Sequence, residues 1–299
     1  MSKEKDYEYA ELIDDSSESE TEINEHTNTN INEERETSEN VGKKKKVIKS
    51  KIKSKDEEKI EKMETSKSKK REKKATTKTK VLLEKFYSEN KNIYEIGVDE
   101  AGRGPLFGRV YTAAVVLPKD DSFDHSKVKD SKKFHSKEKI EEAAEYVKKN
   151  AIAWSVNFED ETVIDNINIL QATQKSMHNS IKCTIRNLGE DKDVYLLIDG
   201  NYFNAITHFN KEKECIEHIP YTCVEGGDNK FSCIAAASIL AKVARDQYIE
   251  ELCKEYPYLT EKYDISNNKG YGAKKHIDGI KEHGISIWHR KTFGICKNF

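Results

Sequence analysis

Four carboxylates stand out by where they fall. Asp99 and Glu100 follow the apolar run YEIGV, Asp199 closes VYLLID, and Asp246 lies in LAKVARD. An ionised carboxylate at the end of a buried strand must be paired or bound to a cation, because leaving it bare in a poorly hydrated place is costly. Either strand-end aspartate alone is more often a turn or helix-capping residue. Together, joined by Glu100, they read as a site. Judged by spacing alone, Asp246 is an ordinary helix-surface aspartate paired with Arg245 or Lys242. Oxygen ligands without organised Cys or His select hard cations, Mg2+ or Mn2+, over zinc. Two such ions about 4 Å apart activate a water and stabilise the leaving oxygen in phosphodiester hydrolysis. These residue types therefore point to metal-dependent phosphoryl transfer.

Gly102, Arg103 and Gly104 follow the acid pair almost at once. Glycine lets the backbone approach a ligand with no Cβ in the way, so its N–H and C=O groups can reach a sugar or phosphate. A lone GRG is otherwise a flexible turn. It matches neither the dinucleotide fingerprint nor the NTPase phosphate loop, since no Lys-Ser or Lys-Thr follows at the required spacing. Arg103 reads as a nearby phosphate-binding or structural cation, with the choice open. Lys132, Lys133 and Lys230 read equally as phosphate contacts or solvated surface lysines. Tyr271, in NKGYG, is by itself a half-buried aromatic at a turn.

The elements that must position these groups follow from hydrophobic pattern. Strands are expected at 94–98, 109–117, 153–158 and 194–199, the last a continuous apolar run covered on both faces, with another around 221–224. Helices are expected at 136–149, where Ile140, Ala143, Ala144 and Val147 share a face, and over 160–188 with an interruption near NINIL. The clearest helix is SCIAAASILAKVARDQYIEELCKEY. Its small residues Ala235, Ala236, Ala237 and Ser238 allow close packing on a sheet. A last helix near 273–283 precedes an irregular end. Interleaved strands and helices predict an α/β fold, a mixed sheet with helices packed against it.

Composition changes sharply near residue 80, dividing a charged tail at 1–80 from a foldable part at 81–299. Residues 1–40 hold 14 acidic and 3 basic residues, and 41–80 hold 18 basic and 6 acidic. Such segments bury too little apolar surface to offset the entropy of ordering, so disorder is expected. The tail is a solvated extension, a sequence-nonspecific grip on phosphates, or a nuclear localisation signal. A cytoplasmic location is the expectation, with a nuclear one open through the basic segment. No apolar run reaches membrane-spanning length. Six scattered cysteines without a CxxC pair suggest reduced thiols rather than zinc or a disulfide framework.

Several stretches together resemble the ribonuclease HII family: GVDEAGRGPL at 97–106, DSKK at 130–133, INILQAT at 167–173, LIDGN at 197–201, IAAASILAKVARD at 234–246, NKGYG at 268–272 and HRKTF at 289–293. They occur in the family's order and span nearly all of the foldable part. The resemblance implies a ribonuclease-H-like fold and an endonuclease that cuts the RNA strand of RNA–DNA hybrids. It extends to single ribonucleotides in duplex DNA and to products with 5′-phosphate and 3′-hydroxyl ends. Asp99, Glu100, Asp199 and Asp246 match the family's catalytic, metal-binding carboxylates, against the ordinary reading of Asp246. The GRG backbone then contacts the ribose 2′-hydroxyl, and Tyr271 packs on the following deoxyribose to read the RNA-to-DNA step. Phe107, Arg109, Phe134 and FSC at 231–233 depart from the family pattern beside these motifs. The expected partners are nucleic acids, with the chain a monomer, no obligate protein partner and no sliding-clamp motif in KTFGICKNF.

Overall fold

The structure is a computed structural model that describes residues 83–210 and 213–299; the charged stretch 1–80 lies outside these residues. Five strands form one sheet in the order β3-β2-β1-β4-β7: β1 (Tyr94–Ala101), β2 (Val110–Val116), β3 (Ala153–Glu159), β4 (Val194–Asp199) and β7 (Tyr221–Val224). β1 runs antiparallel to β2, and β2 to β3, whereas β4 and β7 are parallel to their neighbours. The mixed α/β sheet expected from the sequence is the one observed. A small hairpin of β5 (Thr207–Asn210) and β6 (Cys215–His218) stands apart from it.

Helices cover both faces of the sheet. Ile96, Val98, Leu196 and Ile198 pack with Met177 and Ile181 of α2 (Glu161–Leu188). Leu197, on the opposite face, packs among residues of α1 (Lys137–Asn150) and α3 (Ser232–Glu255). Strand side chains alternate between faces, so odd-numbered residues of β1 and β4 turn toward α3. α2 breaks where the NINIL interruption was expected: Asn168 takes φ 65° and ψ 163°. Its Oδ1 accepts from the N–H groups of Leu170 and Gln171 at 3.0 and 3.2 Å, capping a second helical segment.

α3 lies unusually close to β1. A Cβ on Gly97 would stand 2.2 Å from the carbonyl carbon of Cys233 and 2.5 Å from the N of Ile234. The alanines after Ile234 keep the helix at that distance. Further along, Gly102 meets Arg245. Five residues of extended chain and twelve of helix both advance about 16 to 18 Å, so α3 and β1 run side by side in one direction. Gly97→Ala is expected to cost about 3 kcal/mol, because rigid backbone blocks the added methyl. Urea unfolding measures this, and an unchanged midpoint would overturn the close approach.

Beyond α3 the chain adds Leu259, Tyr263 and Ile280 to a further apolar cluster shared with Phe107 and with Ile249 of α3. It is built by α4 (Tyr258–Tyr263), α5 (Ile265–Asn268) and α6 (Lys274–His283). Phe107, one of the departures from the family pattern, is fully buried at its centre. Among the described residues no helix is long and apolar enough to cross a membrane.

Candidate active site

Register brings the first two acids together. Val98 pairs with Ile198 across the parallel β1–β4 ladder, so Asp99 and Asp199 come next at one level and on one face, toward α3. Both lie within their strands, since β1 continues to Ala101 and β4 includes Asp199. Burial pushes the Asp99 carboxyl well above the usual carboxylate range, and the charges of Glu100 and Asp199 push it further. The Ser238 hydroxyl of α3 and the Glu100 N–H, 2.7 Å from Oδ1, pull it back. Burial also raises Asp199, against a 2.6 Å hydrogen bond donated by the Gly227 N–H. Glu100 is raised by burial and lowered by Arg103, whose Nη1 lies 3.2 Å away.

Asp246 sits on α3, two turns beyond Ser238, at the level of the glycine loop. Its partner is Lys242, 2.7 Å away. Arg245, the other partner considered from the sequence, is buried and donates instead to backbone carbonyls of Phe107, Arg109 and Lys269. The structure thus groups Asp99, Glu100 and Asp199 through their mutual charges, while Asp246 is paired with Lys242 further along α3.

Among the described residues, no three His, Cys, Asp or Glu side chains close around a common point. The donor set nevertheless fits a hard divalent cation. Three acids share one partly desolvated place, and each is harder to ionise there than in water, a penalty that a cation would offset. Arg103 and Lys242, which screen Glu100 and Asp246, are long side chains exposed enough to swing away.

The loop after β1 is held from beneath. Arg290 is 0% exposed and donates to four carbonyls: Nε to Gly108 at 2.8 Å, Nη1 to Arg103 and Pro105 at 3.0 and 2.9 Å, and Nη2 to Gly102 at 2.6 Å. Gly102 has φ +92° and touches Arg245, where a side chain would collide. Gly104 faces Tyr271, whose Cε1 would lie 3.6 Å from an added Cβ, and the tyrosine ring is 52% exposed. The glycine loop and Tyr271 thus form one surface beside the acids. Arg109, another departure, is stacked between Phe158 and Tyr248 at 4.0 and 4.6 Å.

The three lysines gather around the turn that supports Asp199. Lys132 bonds the buried carboxylate of Asp228 at 3.1 Å and Lys133 bonds Asn229, while Lys230 ends the same turn, exposed. Ser131 of DSKK meets Ser238 at 3.1 Å, joining this loop to the residue that contacts Asp99.

Sequence reasoning gave no role to Arg290 or Asp228, read Arg245 only as a partner for Asp246, and read Ser238 only as a small packing residue. Arg245, Arg290 and Ser238 stood inside the family motifs, but an arginine that binds carbonyls rather than a carboxylate leaves no charge pattern to detect.

A mixed sheet with paired acids on its central parallel strands, flanked by helices, defines a nuclease of the ribonuclease-H-like class. A family model described as Ribonuclease HII matches residues 96–296, and the chain belongs to the ribonuclease HII family. Ribonuclease HII of Bacteroides thetaiotaomicron is 44% identical over 207 residues, 69% of this chain and 92% of that protein. The Oceanobacillus iheyensis enzyme is 39% identical over 210 residues, 70% of this chain and 72% of that protein. The crystal structure of ribonuclease H2 from Pyrococcus horikoshii shares the fold, with TM-score 0.52 at 20% identity, covering 69% of this chain and 96% of that one. A structure of Bst-RNase HIII in complex with Mn2+ also shares it, with TM-score 0.52 at 17% identity over 70% of each chain. The chain is accordingly a ribonuclease H enzyme, of the class that acts on RNA–DNA hybrids.

Proposed function

We propose that the enzyme cuts the RNA strand of hybrids internally, cuts duplex DNA at single embedded ribonucleotides, and leaves 5′-phosphate and 3′-hydroxyl ends. The observation that carries this is the adjacency of the acid group to a surface made by the GRG loop and Tyr271. Asp99, Glu100, Asp199 and Asp246 would hold Mg2+ or Mn2+. When bound, the metal would supply an activated water and offset charge on the leaving oxygen. The Mn2+ in Bst-RNase HIII supports a divalent ion of this size.

The chain's own residues supply recognition. The backbone of the Gly102–Gly104 segment meets the ribose on the side away from Arg290, and the 2′-hydroxyl of that ribose is the chemical difference between RNA and DNA at that position. Tyr271 packs against the next sugar and rewards a deoxyribose there. Lys132, Lys133 and Lys230 line the flank where phosphates would pass, and Arg103 exchanges Glu100 for a phosphate or stays as its counter-ion. The enzyme acts as a monomer in the cytoplasm.

A labelled, end-blocked duplex carrying one ribonucleotide tests this, incubated with Mg2+, with Mn2+ and with chelator. Metal-dependent cutting at the ribonucleotide is expected. Binding without cutting would favour a nucleic-acid-binding module with an inactive core, and a need for free ends would favour an exonuclease. Tyr271→Ala should lose about tenfold more activity on this duplex than on a long hybrid, because a long hybrid offers many registers and the duplex one. Equal losses would remove the junction-reading role.

A further inference from the structure

Tyr271 is half-exposed, yet its backbone is fixed from several sides. Its N–H donates to the Asn268 carbonyl at 3.0 Å, and its own carbonyl accepts from the Ala273 N–H at 2.7 Å and from His276 Nδ1 at 2.8 Å. His276 is 0% exposed, and its Nε2 lies 3.0 Å from Nε2 of His289, which is 1% exposed. The Nδ1 of His289 in turn faces the Ser286 N–H at 2.9 Å and the Ser286 hydroxyl at 2.8 Å.

The two ends of this chain fix its direction. The Ser286 N–H can only donate, so His289 Nδ1 accepts and the proton of that ring sits on Nε2. His289 Nε2 then donates to His276 Nε2, which places the second proton on Nδ1, facing a carbonyl that can only accept. Burial keeps both rings neutral, lowering His276 and pushing His289 down to about 3. Every donor meets an acceptor in one arrangement, and reversing either ring sets two donors or two acceptors face to face.

His289 is also joined to the glycine loop. It forms an isolated bridge with Phe107, the Gly108 N–H donates to the Trp288 carbonyl at 2.8 Å, and the Arg290 N–H donates to the Leu106 carbonyl at 2.9 Å. The next residue, Arg290, holds the Gly102 and Arg103 carbonyls. One dipeptide therefore grips the loop with its arginine and the tyrosine segment, through His276, with its histidine.

We propose that His276 and His289 are positioning residues for the reaction: their one-way donor chain, anchored beside Arg290, sets the spacing between the GRG loop and Tyr271 and so sets discrimination for the ribonucleotide–deoxyribonucleotide junction. This rests on the reading of Tyr271 as the junction-contacting side chain. Neither histidine touches substrate. Their effect passes through the tyrosine, so it disappears when the tyrosine ring is absent.

The test uses the full chain and the ratio of kcat/KM on a one-ribonucleotide duplex to kcat/KM on a uniform hybrid. His276→Leu should lower the ratio about three- to tenfold, chiefly through KM on the junction substrate. His276→Asn, whose amide can still donate to the Tyr271 carbonyl, should recover most of it. In a Tyr271→Ala background His276→Leu should add nothing further. Equal losses on both substrates, or losses that multiply in the double variant, would overturn the relay. A ratio moved by Tyr271→Ala but not by His276→Leu also defeats the relay and spares the tyrosine. A ratio unmoved by Tyr271→Ala defeats the reading of the tyrosine and the proposal with it. Should His276→Leu fail to fold, nitrogen-15 NMR of the unmodified enzyme decides: protons on Nδ1 of His276 and Nε2 of His289 support the relay, and any other pattern refutes it.

Discussion

Asp99→Asn lowers metal-dependent cleavage by about a thousandfold or more while hybrid binding persists, and in the absence of metal the variant melts at a higher temperature than the parent. The two effects share one cause. Asp99 is buried against Glu100 and Asp199, and its carboxyl sits well above the usual range. Ionised and without a cation, it would burden the fold; under the proposed function a bound cation would offset that burden. An amide of the same shape removes the repulsion and the ligand together, trading activity for stability.

Linkage gives a further readout. A carboxyl whose folded pKa is raised contributes stability that is fully present below its unfolded pKa, and that stability is lost as pH rises through the folded value. Asp99, Glu100 and Asp199 are all raised. The metal-free parent should therefore lose stability as pH climbs above about 4, and Asp99→Asn should flatten that decline. Mg2+ should raise the melting temperature of the parent at neutral pH and leave the variant nearly unmoved. Full activity in the variant at ordinary Mg2+, or an equal metal shift in both proteins, would remove Asp99 from the metal set.

What the sequence revealed and what it hid divide along physical lines. Strands with continuous apolar runs and the alanine-rich α3 were legible because burial on both sides leaves a compositional mark. The NINIL break was legible because Asn168 interrupts the helical pattern and caps the second segment of α2. α4 and α5 were missed: six and four residues are too short to show helical periodicity, and they join through Asp264 in a left-handed conformation. The β5–β6 hairpin was missed because its strands expose residues such as Cys215 and Ile216 where alternation would place inward ones. Within the site, Asp99 and Asp199 announced themselves by ending apolar runs, and the pairing of β1 with β4 then aligned them. Asp246 did not, because a helix-surface aspartate four residues after a lysine looks the same whether or not it serves a site. The structure keeps that ambiguity visible in the Lys242 pair. The proposal that Asp246 serves the catalytic set rests on the family resemblance rather than on the local pattern.

Arg290→Met is expected to lower stability by about 3 to 5 kcal/mol and activity on any hybrid by about a hundredfold. Burial pushes the Arg290 guanidinium down to about 9, so it remains charged at neutral pH with all its donors in place. Four of its bonds end on carbonyls of Gly102, Arg103, Pro105 and Gly108. Methionine fills much of the volume but leaves those carbonyls in the interior without donors, and an unmade buried hydrogen bond costs more than a made one contributes. The loop would then relax in the segment directly after Asp99 and Glu100. Arg290→Lys should keep part of the stability and little of the activity, because a single ammonium cannot span the planar fork that contacts three directions at once. Urea unfolding and single-turnover cleavage of a uniform hybrid separate the two effects. A folded Arg290→Met enzyme with parental turnover would show that the loop holds its geometry without the guanidinium.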